Sequence, residues 1–229
     1  MAEGVNSRSH VRWVRPPHGD RSEPVACELT GLVCRMAEAP KKGETRVVAM
    51  TVRDALAVMK PGSLQPQMLD AFLLAPGRTV VQVPRQYGRT TCLAMLAAAL
   101  MASEEKVSIV LVAKSNMEAR FVMGQIKHAY SLTKCTLRVT IDDPLTFRAG
   151  NNTCYARAPI HPSEIKELLD KADVCLVDNI DRQTPAFLAP LAASRGRFGM
   201  IGTALELSGP HLSVLSEHHI RVCDLSVSV

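Results

Sequence analysis

From Arg78 onward, short apolar runs alternate with segments of helical character, and this alternation constrains the fold more than any other feature of the chain. Strands are expected at Arg78 to Val83, Val107 to Ala113, Leu137 to Ile141, Thr153 to Ala158, Val174 to Val177, Phe198 to Ile201 and Ile220 to Leu225. Between them fall helices at Thr90 to Ser103, Ser115 to Leu132, Ser163 to Ala172 and Thr184 to Ala193. The starts of the last three are marked by a capping residue, and Pro185 stands at a first helical position. A strand that is apolar throughout must be covered on both faces. The pattern therefore predicts a mainly parallel sheet with helices on both sides, a three-layer α/β/α arrangement. Such sheets place ligands at the carboxyl ends of their strands.

The chain has 229 residues, 47% of them hydrophobic and 21% charged, which is enough to build one large core or two small ones and excludes disorder throughout. Residues 1–45 mix Gly, Pro, Ser and both charge signs without a periodic apolar face, and predict a flexible basic arm. Its arginines (Arg8, Arg12, Arg15, Arg21) belong to a solvated tail or touch nucleic acid. Residues 46–229 hold the expected folded domain. There, Thr51 and Asp54 form a capping box for a helix through Met59 that stops at Pro61-Gly62. Ser63 is placed to cap a second helix with Leu64, Met68 and Phe72 on one face, before a turn at Pro76-Gly77.

The longest apolar segment, Cys92 to Ala102, falls short of the roughly 20 residues a membrane span needs, so no membrane role is expected. The first thirty residues lack the apolar core of a secretory signal, and an intracellular protein is expected. Seven scattered cysteines, with no two-residue spacing between any pair, read as reduced and mostly buried thiols. The net charge of +5 permits contact with a polyanion without requiring it.

The segment Val83-Pro84-Arg85-Gln86-Tyr87-Gly88-Arg89-Thr90-Thr91 joins the first core strand to a helix with no intervening linker. Gly88 allows a tight turn, Arg89 supplies a cation, and Thr90 and Thr91 supply hydroxyls. That is the ending of a loop whose backbone N–H groups and helix N-terminus converge on phosphate oxygens while a hydroxyl ligates Mg²⁺. Taken alone it is more often an ordinary strand-to-helix turn with a basic first-turn residue. Asp178 ends the apolar run Val174 to Val177, where a carboxylate either orients water on Mg²⁺ or caps a following helix. Asn179, next to it, has no titratable lone pair and cannot act as a general base. Gly202-Thr203 ends the next apolar strand, as a γ-phosphate sensor or as a plain turn. In Leu64-Gln65-Pro66-Gln67, upstream of the loop, a glutamine could hydrogen-bond adenine or be solvated.

Together these residues resemble the ATPase domain of viral DNA-packaging terminase large subunits, of the herpesvirus and tailed-phage type. The likeness runs from about Ser63 to Leu225. It implies a P-loop fold that binds ATP and Mg²⁺. By that resemblance Pro84, Arg85, Gln86, Tyr87, Gly88, Arg89, Thr90 and Thr91 would surround the phosphates, and Gln67 would read adenine. Arg85 would be a cis arginine finger, Thr90 and Asp178 would hold the metal, and Thr203 would couple hydrolysis to movement. Two positions depart from the family: Arg89 stands where it has lysine, and Asn179 where it has its catalytic glutamate, which predicts slow or absent hydrolysis unless Asp181 or another carboxylate substitutes. The chain also lacks the acidic cluster of the family's nuclease domain, so the ATPase portion alone is expected, as a fragment, one exon's product or a stand-alone protein.

The resulting expectation is an ATP-driven component of a viral packaging motor that translocates double-stranded DNA into procapsids. It would act with other terminase subunits and a portal, as a homo-oligomeric ring, in the host nucleus if herpesvirus-like and otherwise in the host cytoplasm. The alternative is a catalytically degenerate P-loop protein that binds nucleotide or a partner subunit. A helicase would need a second motor domain, for which no room is expected after Val229.

Overall fold

The computed structural model describes Arg12–Trp13 and residues 50–225 except 63–64, 75–77, 104–105, 136, 138 and 159–160. The expected cap at Ser63, the Pro76-Gly77 turn and nearly all of the 1–45 arm lie outside the described residues.

Among the described residues, nine strands form one sheet in the order β1-β9-β2-β8-β7-β3-β6-β5-β4. They are β1 (Arg12–Trp13), β2 (Thr79–Gln82), β3 (Ser108–Val112), β4 (Val139–Asp143), β5 (Thr146–Ala149), β6 (Asn152–Arg157), β7 (Val174–Val177), β8 (Gly199–Ala204) and β9 (Arg221–Asp224). From β9 to β6 every neighbouring pair is parallel. Among the described residues, seven helices cover it: α1 (Val52–Met59), α2 (Gln65–Leu74), α3 (Arg89–Ser103), α4 (Asn116–Leu132), α5 (Pro162–Leu169), α6 (Pro185–Ala192) and α7 (Gly209–Glu217).

Successive side chains of a strand point to opposite faces, and the core divides accordingly. Val81, Ile109, Leu111, Val174, Leu176 and Ile201 pack in one cluster with α1 to α4. Their chain neighbours Val80, Val110, Val112, Cys175, Val177 and Met200 pack in a second cluster with α5 to α7. This is a three-layer α/β/α arrangement, as the alternating pattern predicts. The alanine-rich α3 is buried continuously from Cys92 to Ala102 because it lies between the sheet and its helical neighbours α1 and α4, so the longest apolar run is a core helix. Among the described residues no helix is long and apolar enough to cross a membrane.

Local signals set several boundaries. Thr51 and Asp54 form the expected capping box of α1. Ser115 Oγ accepts from Glu118 N at the start of α4, and Thr184 Oγ1 accepts from Phe187 N ahead of Pro185. Elsewhere the structure corrects the reading. Ser163 does not cap α5: the helix begins at Pro162, and its cap position, His161, makes no side-chain bond. A fixed proline φ starts this helix where a hydroxyl was expected to.

The parallel run ends at β6, and beyond it the chain folds back as an antiparallel hairpin whose β5 was not anticipated. Asp143 makes the turn, its two carboxylate oxygens accepting from Leu145 N at 2.6 Å and from the Thr146 hydroxyl at 2.8 Å. Phe147 then anchors β5 by an edge-on contact with Tyr130 of α4, ring centroids 5.2 Å apart. The helix α7 was also not anticipated. At the other edge, Arg12 and Trp13, inside the stretch expected as an arm, pair antiparallel with Asp224 and Cys223 of β9.

Candidate nucleotide site

Two loops leave the carboxyl edge of the sheet close together although their strands are distant in sequence. β8 lies between β2 and β7, with Gln82 opposite Ala204 and Val177 opposite Gly202. The residues after β2 therefore face those after β7 across the end of β8.

The loop after β2 turns through two left-handed residues, Gln86 at φ 67° and Gly88 at φ 71°. Only glycine adopts such a conformation without steric cost. Gly88 has a second constraint, because a Cβ there would lie 2.6 Å from Gln65 Nε2. The Gln65 side chain is held against the loop by its Oε1, which accepts from Gly62 N at 2.7 Å. Gly88 O in turn accepts from Cys92 N at 2.8 Å, fixing the loop onto the first turn of α3.

At the end of β7, Asp178 is 4% exposed and receives two hydroxyls. Thr90 Oγ1 donates to Oδ2 at 2.6 Å and Thr203 Oγ1 donates to Oδ1 at 3.0 Å. Burial raises the Asp178 carboxyl above the ordinary aspartate value. The two hydroxyl donors and the Arg89 charge oppose that shift, and the like charge of Glu118 adds to it. Asn179 is left-handed at φ 55°, and its backbone N–H donates to Thr203 Oγ1 at 3.4 Å. Gly202 lets the chain after β7 pass this close. A Cβ on it would collide with Ile180 Cδ1 and sit 3.0 Å from Val177 O.

Arg89 points toward the short 3₁₀ turn after Asn179 (Ile180–Arg182), where its Nη1 lies 3.8 Å from Asp181 Oδ1. The same Asp181 oxygen accepts from Leu205 N at 2.8 Å. Arg89 Nη1 is buried and makes no hydrogen bond among the described residues. A buried guanidinium donor without an acceptor is costly unless an anion completes it, and a phosphate oxygen is such an anion.

Thr90, Asp178, Thr203 and Arg89 are thus brought together, with Asn179 bonded to Thr203. Pro84, Tyr87, Gly88 and Thr91 are half-buried along the loop, Tyr87 packing onto the core beneath it. Arg85 and Gln86 are exposed at the tip of the turn. Gln67 is exposed on α2, and it is Gln65 that lies against Gly88. Two site neighbours were not singled out from sequence as part of this group, Glu118 and Arg182, while Gln65 stands in the glutamine run that was, beside the Gln67 that the resemblance favours. The capping motif Ser115 to Glu118 was the one signal that could have drawn attention to Glu118.

Among the described residues no group of three or more His, Cys, Asp or Glu could hold a metal by itself. The donor set of Thr90 and Asp178 suits Mg²⁺, which takes few protein oxygens and fills its shell with water and phosphate. Bound there, the ion would neutralise charge on a polyphosphate.

No family model matches the sequence, and no curated protein matches it. Solved structures match in fold. The large terminase of bacteriophage HK97 superposes with a TM-score of 0.54 at 14% identity, over 76% of this chain and 43% of that one. A Thermus phage large terminase ATPase domain gives 0.51 at 13% identity, over 71% and 73% of the two chains. The UvsW helicase of bacteriophage T4 gives 0.51 at 12%, over 72% and 60%. These likenesses are of fold, and they extend to helicases as well as terminases.

Proposed function

We propose that this chain binds ATP with Mg²⁺ at the edge formed by Gly88 to Thr91, Asp178 and Thr203, and hydrolyses it to drive a motor on double-stranded DNA. The observation that carries this reading is the Thr90–Asp178–Thr203 arrangement, in which a first-turn hydroxyl and a second hydroxyl converge on one buried carboxylate. Thr90 and Asp178 would hold Mg²⁺, Arg89 would turn its orphaned Nη1 to phosphate, and the Gly88 turn would present backbone N–H groups. Gln65 lies nearer the loop than Gln67 and is the better placed of the two to meet a base. Thr203 bonds both Asp178 and the Asn179 backbone, so a change at the phosphates would be felt along β8.

The terminase-like reading adds packaging into procapsids, a ring of like subunits, a portal and other terminase subunits as partners, in a host nucleus or cytoplasm. A basic exterior would grip DNA through its phosphates without sequence choice. Arg85, exposed at the loop tip, would then act from a position that closes only around nucleotide.

A second reading, a nucleotide-binding or subunit-docking module without turnover, is favoured by two specific observations. Asn179 supplies no carboxylate beside Asp178, and Arg89 is engaged by Asp181.

Titration of the protein with a fluorescent ATP analogue, with and without Mg²⁺, followed by phosphate release, tests both readings. Mg²⁺-dependent binding that Asp178→Ala abolishes, together with phosphate release stimulated by double-stranded DNA, is the expected result. Binding without release above the Asp178→Ala background favours the docking module. Absence of binding removes both.

A further inference from the structure

Asn179, directly after Asp178, is an amide and cannot serve as a general base in the site proposed above. The sheet offers a second route to the same spot. β3 is the other neighbour of β7, in register with Val112 opposite Val177, and the ladder runs one step further through Asp178 N to Val112 O at 3.1 Å. The chain leaving β3 therefore emerges beside Asp178, and the first turn of α4 carries a carboxylate there, Glu118.

Its side chain is fixed at both oxygens. Oε2 accepts from Lys114 N at 3.2 Å, and Oε1 meets Arg182 Nη1 at 3.4 Å. Arg182 belongs to the 3₁₀ turn that follows Asp178 and Asn179, so the ion pair ties the β3 exit to the β7 exit. The Glu118 side chain is 35% exposed, which leaves room for water on one side. Asp181, the other carboxylate nearby, is more enclosed and already engages Arg89 and Leu205 N.

We propose that Glu118 is the general base of this site, replacing the carboxylate that Asn179 lacks. The proposal rests on the ATPase reading above. In the step it serves, a water oxygen forms a bond to the γ-phosphorus and the bond from that phosphorus to the β,γ-bridging oxygen breaks. The electron pair leaves with ADP. Glu118 accepts the water proton and returns it to solvent through its exposed side. Arg182 is a positioning residue, holding the carboxylate toward β7.

The test measures phosphate release and ATP affinity separately for the full chain and for Glu118→Gln, which keeps the acceptor for Lys114 N. General-base removal is expected to lower kcat by about 100-fold or more. KM and the affinity for ATP should stay within about twofold, and unhydrolysed ATP should be recoverable from the variant's complex. Arg182→Gln should lower kcat by a smaller factor, again with KM held. A Glu118→Gln protein that turns over within about threefold of the parent overturns the proposal, as does loss of kcat in Asp181→Asn but not in Glu118→Gln. If the parent binds ATP·Mg²⁺ and releases no phosphate, Glu118 has no such role while the nucleotide site stands. If it binds no nucleotide, the site itself fails.

Discussion

The Thr90 hydroxyl donates to Asp178 Oδ2 at 2.6 Å across 88 residues of sequence. This bond exists because β8 intervenes between β2 and β7. The spacing lets the first turn of α3 reach across the end of one strand to the carboxylate ending the next, while Thr203, on that intervening strand, takes the other oxygen. In the Mg²⁺ site proposed above these two groups would be the protein's ligands, and their bond satisfies a carboxylate that burial would otherwise leave exposed to its full desolvation cost.

That cost has a measurable sign. A carboxyl whose folded pKa lies above its unfolded value binds more protons folded than unfolded. Its penalty is absent below the unfolded value, near ~3.9, and grows as pH rises through the folded one. Asp178 is raised chiefly by burial. Asp178→Asn should therefore melt higher than the parent in metal-free buffer at pH 8, by about 2–4 °C if roughly 1 kcal/mol is relieved. The difference should shrink toward pH 4.5, while Mg²⁺-dependent nucleotide binding is lost. Melting curves of both proteins across that pH range check it. A parent that is the more stable at pH 8 contradicts it.

Arg89 is held by Asp181 rather than by the loop it follows. Breaking that pair while keeping the acceptor for Leu205 N frees the guanidinium for phosphate. Asp181→Asn is expected to tighten nucleotide binding about fivefold, corresponding to the ~1 kcal/mol of a partly enclosed ion pair. Arg89→Ala should weaken it by about tenfold or more. Fluorescence titrations of the three proteins at equal ionic strength decide the matter. Equal affinities for the parent and Asp181→Asn would mean the pair does not restrain Arg89.

Much of this geometry was legible because each carrier sits in or at the boundary of a strongly patterned element. Val174 to Val177 is wholly apolar and Asp178 ends it, Gly88-Arg89-Thr90 opens the longest apolar helix, and Gly202-Thr203 falls within an apolar strand. What was not legible depends on strand order or on a helix's first residue. Nothing in the sequence says that β8 separates β2 from β7, or that β3 flanks β7 and so delivers Glu118. The two glutamines of Gln65-Pro66-Gln67 differ only in phase: α2 begins at Gln65, so Gln67 is turned about 200° away from it and faces solvent. The hairpin of β4 and β5 was missed in part because four residues with an exposed Arg148 carry too little apolar signal. The helix α7 opens on Gly209-Pro210 and buries little beyond His211 and Leu215, which leaves its periodicity faint.

The cysteines offer a check on the core. Burial pushes the Cys92, Cys154 and Cys175 thiols up to about 12. The thiolate is the reactive form, so these groups should resist alkylation in the native state. Iodoacetamide at pH 8, followed by peptide mapping, should label Cys135, which is half-buried, and leave those three unmodified until denaturant is added. Native labelling of Cys175, at the centre of β7, would be incompatible with the sheet order described.

Gly202 tests how the site and the core are joined. Its missing side chain makes room for Ile180, the first residue of the turn that carries Asp181 and Arg182, and Ile180 is itself fully buried under β8. Gly202→Ala forces a methyl against Ile180 Cδ1 and the Val177 carbonyl, and overpacking of this kind costs about 1–3 kcal/mol. Ile180→Ala alone removes buried apolar volume and should cost about 2–4 kcal/mol. In the double variant the added methyl occupies part of the vacated space, so the combined loss should fall short of the sum by about 1 kcal/mol, a coupling that denaturant unfolding of all four proteins resolves. Because the Ile180 turn also positions Asp181 and Arg182, Gly202→Ala should disturb nucleotide affinity beyond its effect on folding, and Ile180→Ala in the same chain should restore part of it. Strict additivity of the two stability losses would place Ile180 elsewhere than beneath Gly202.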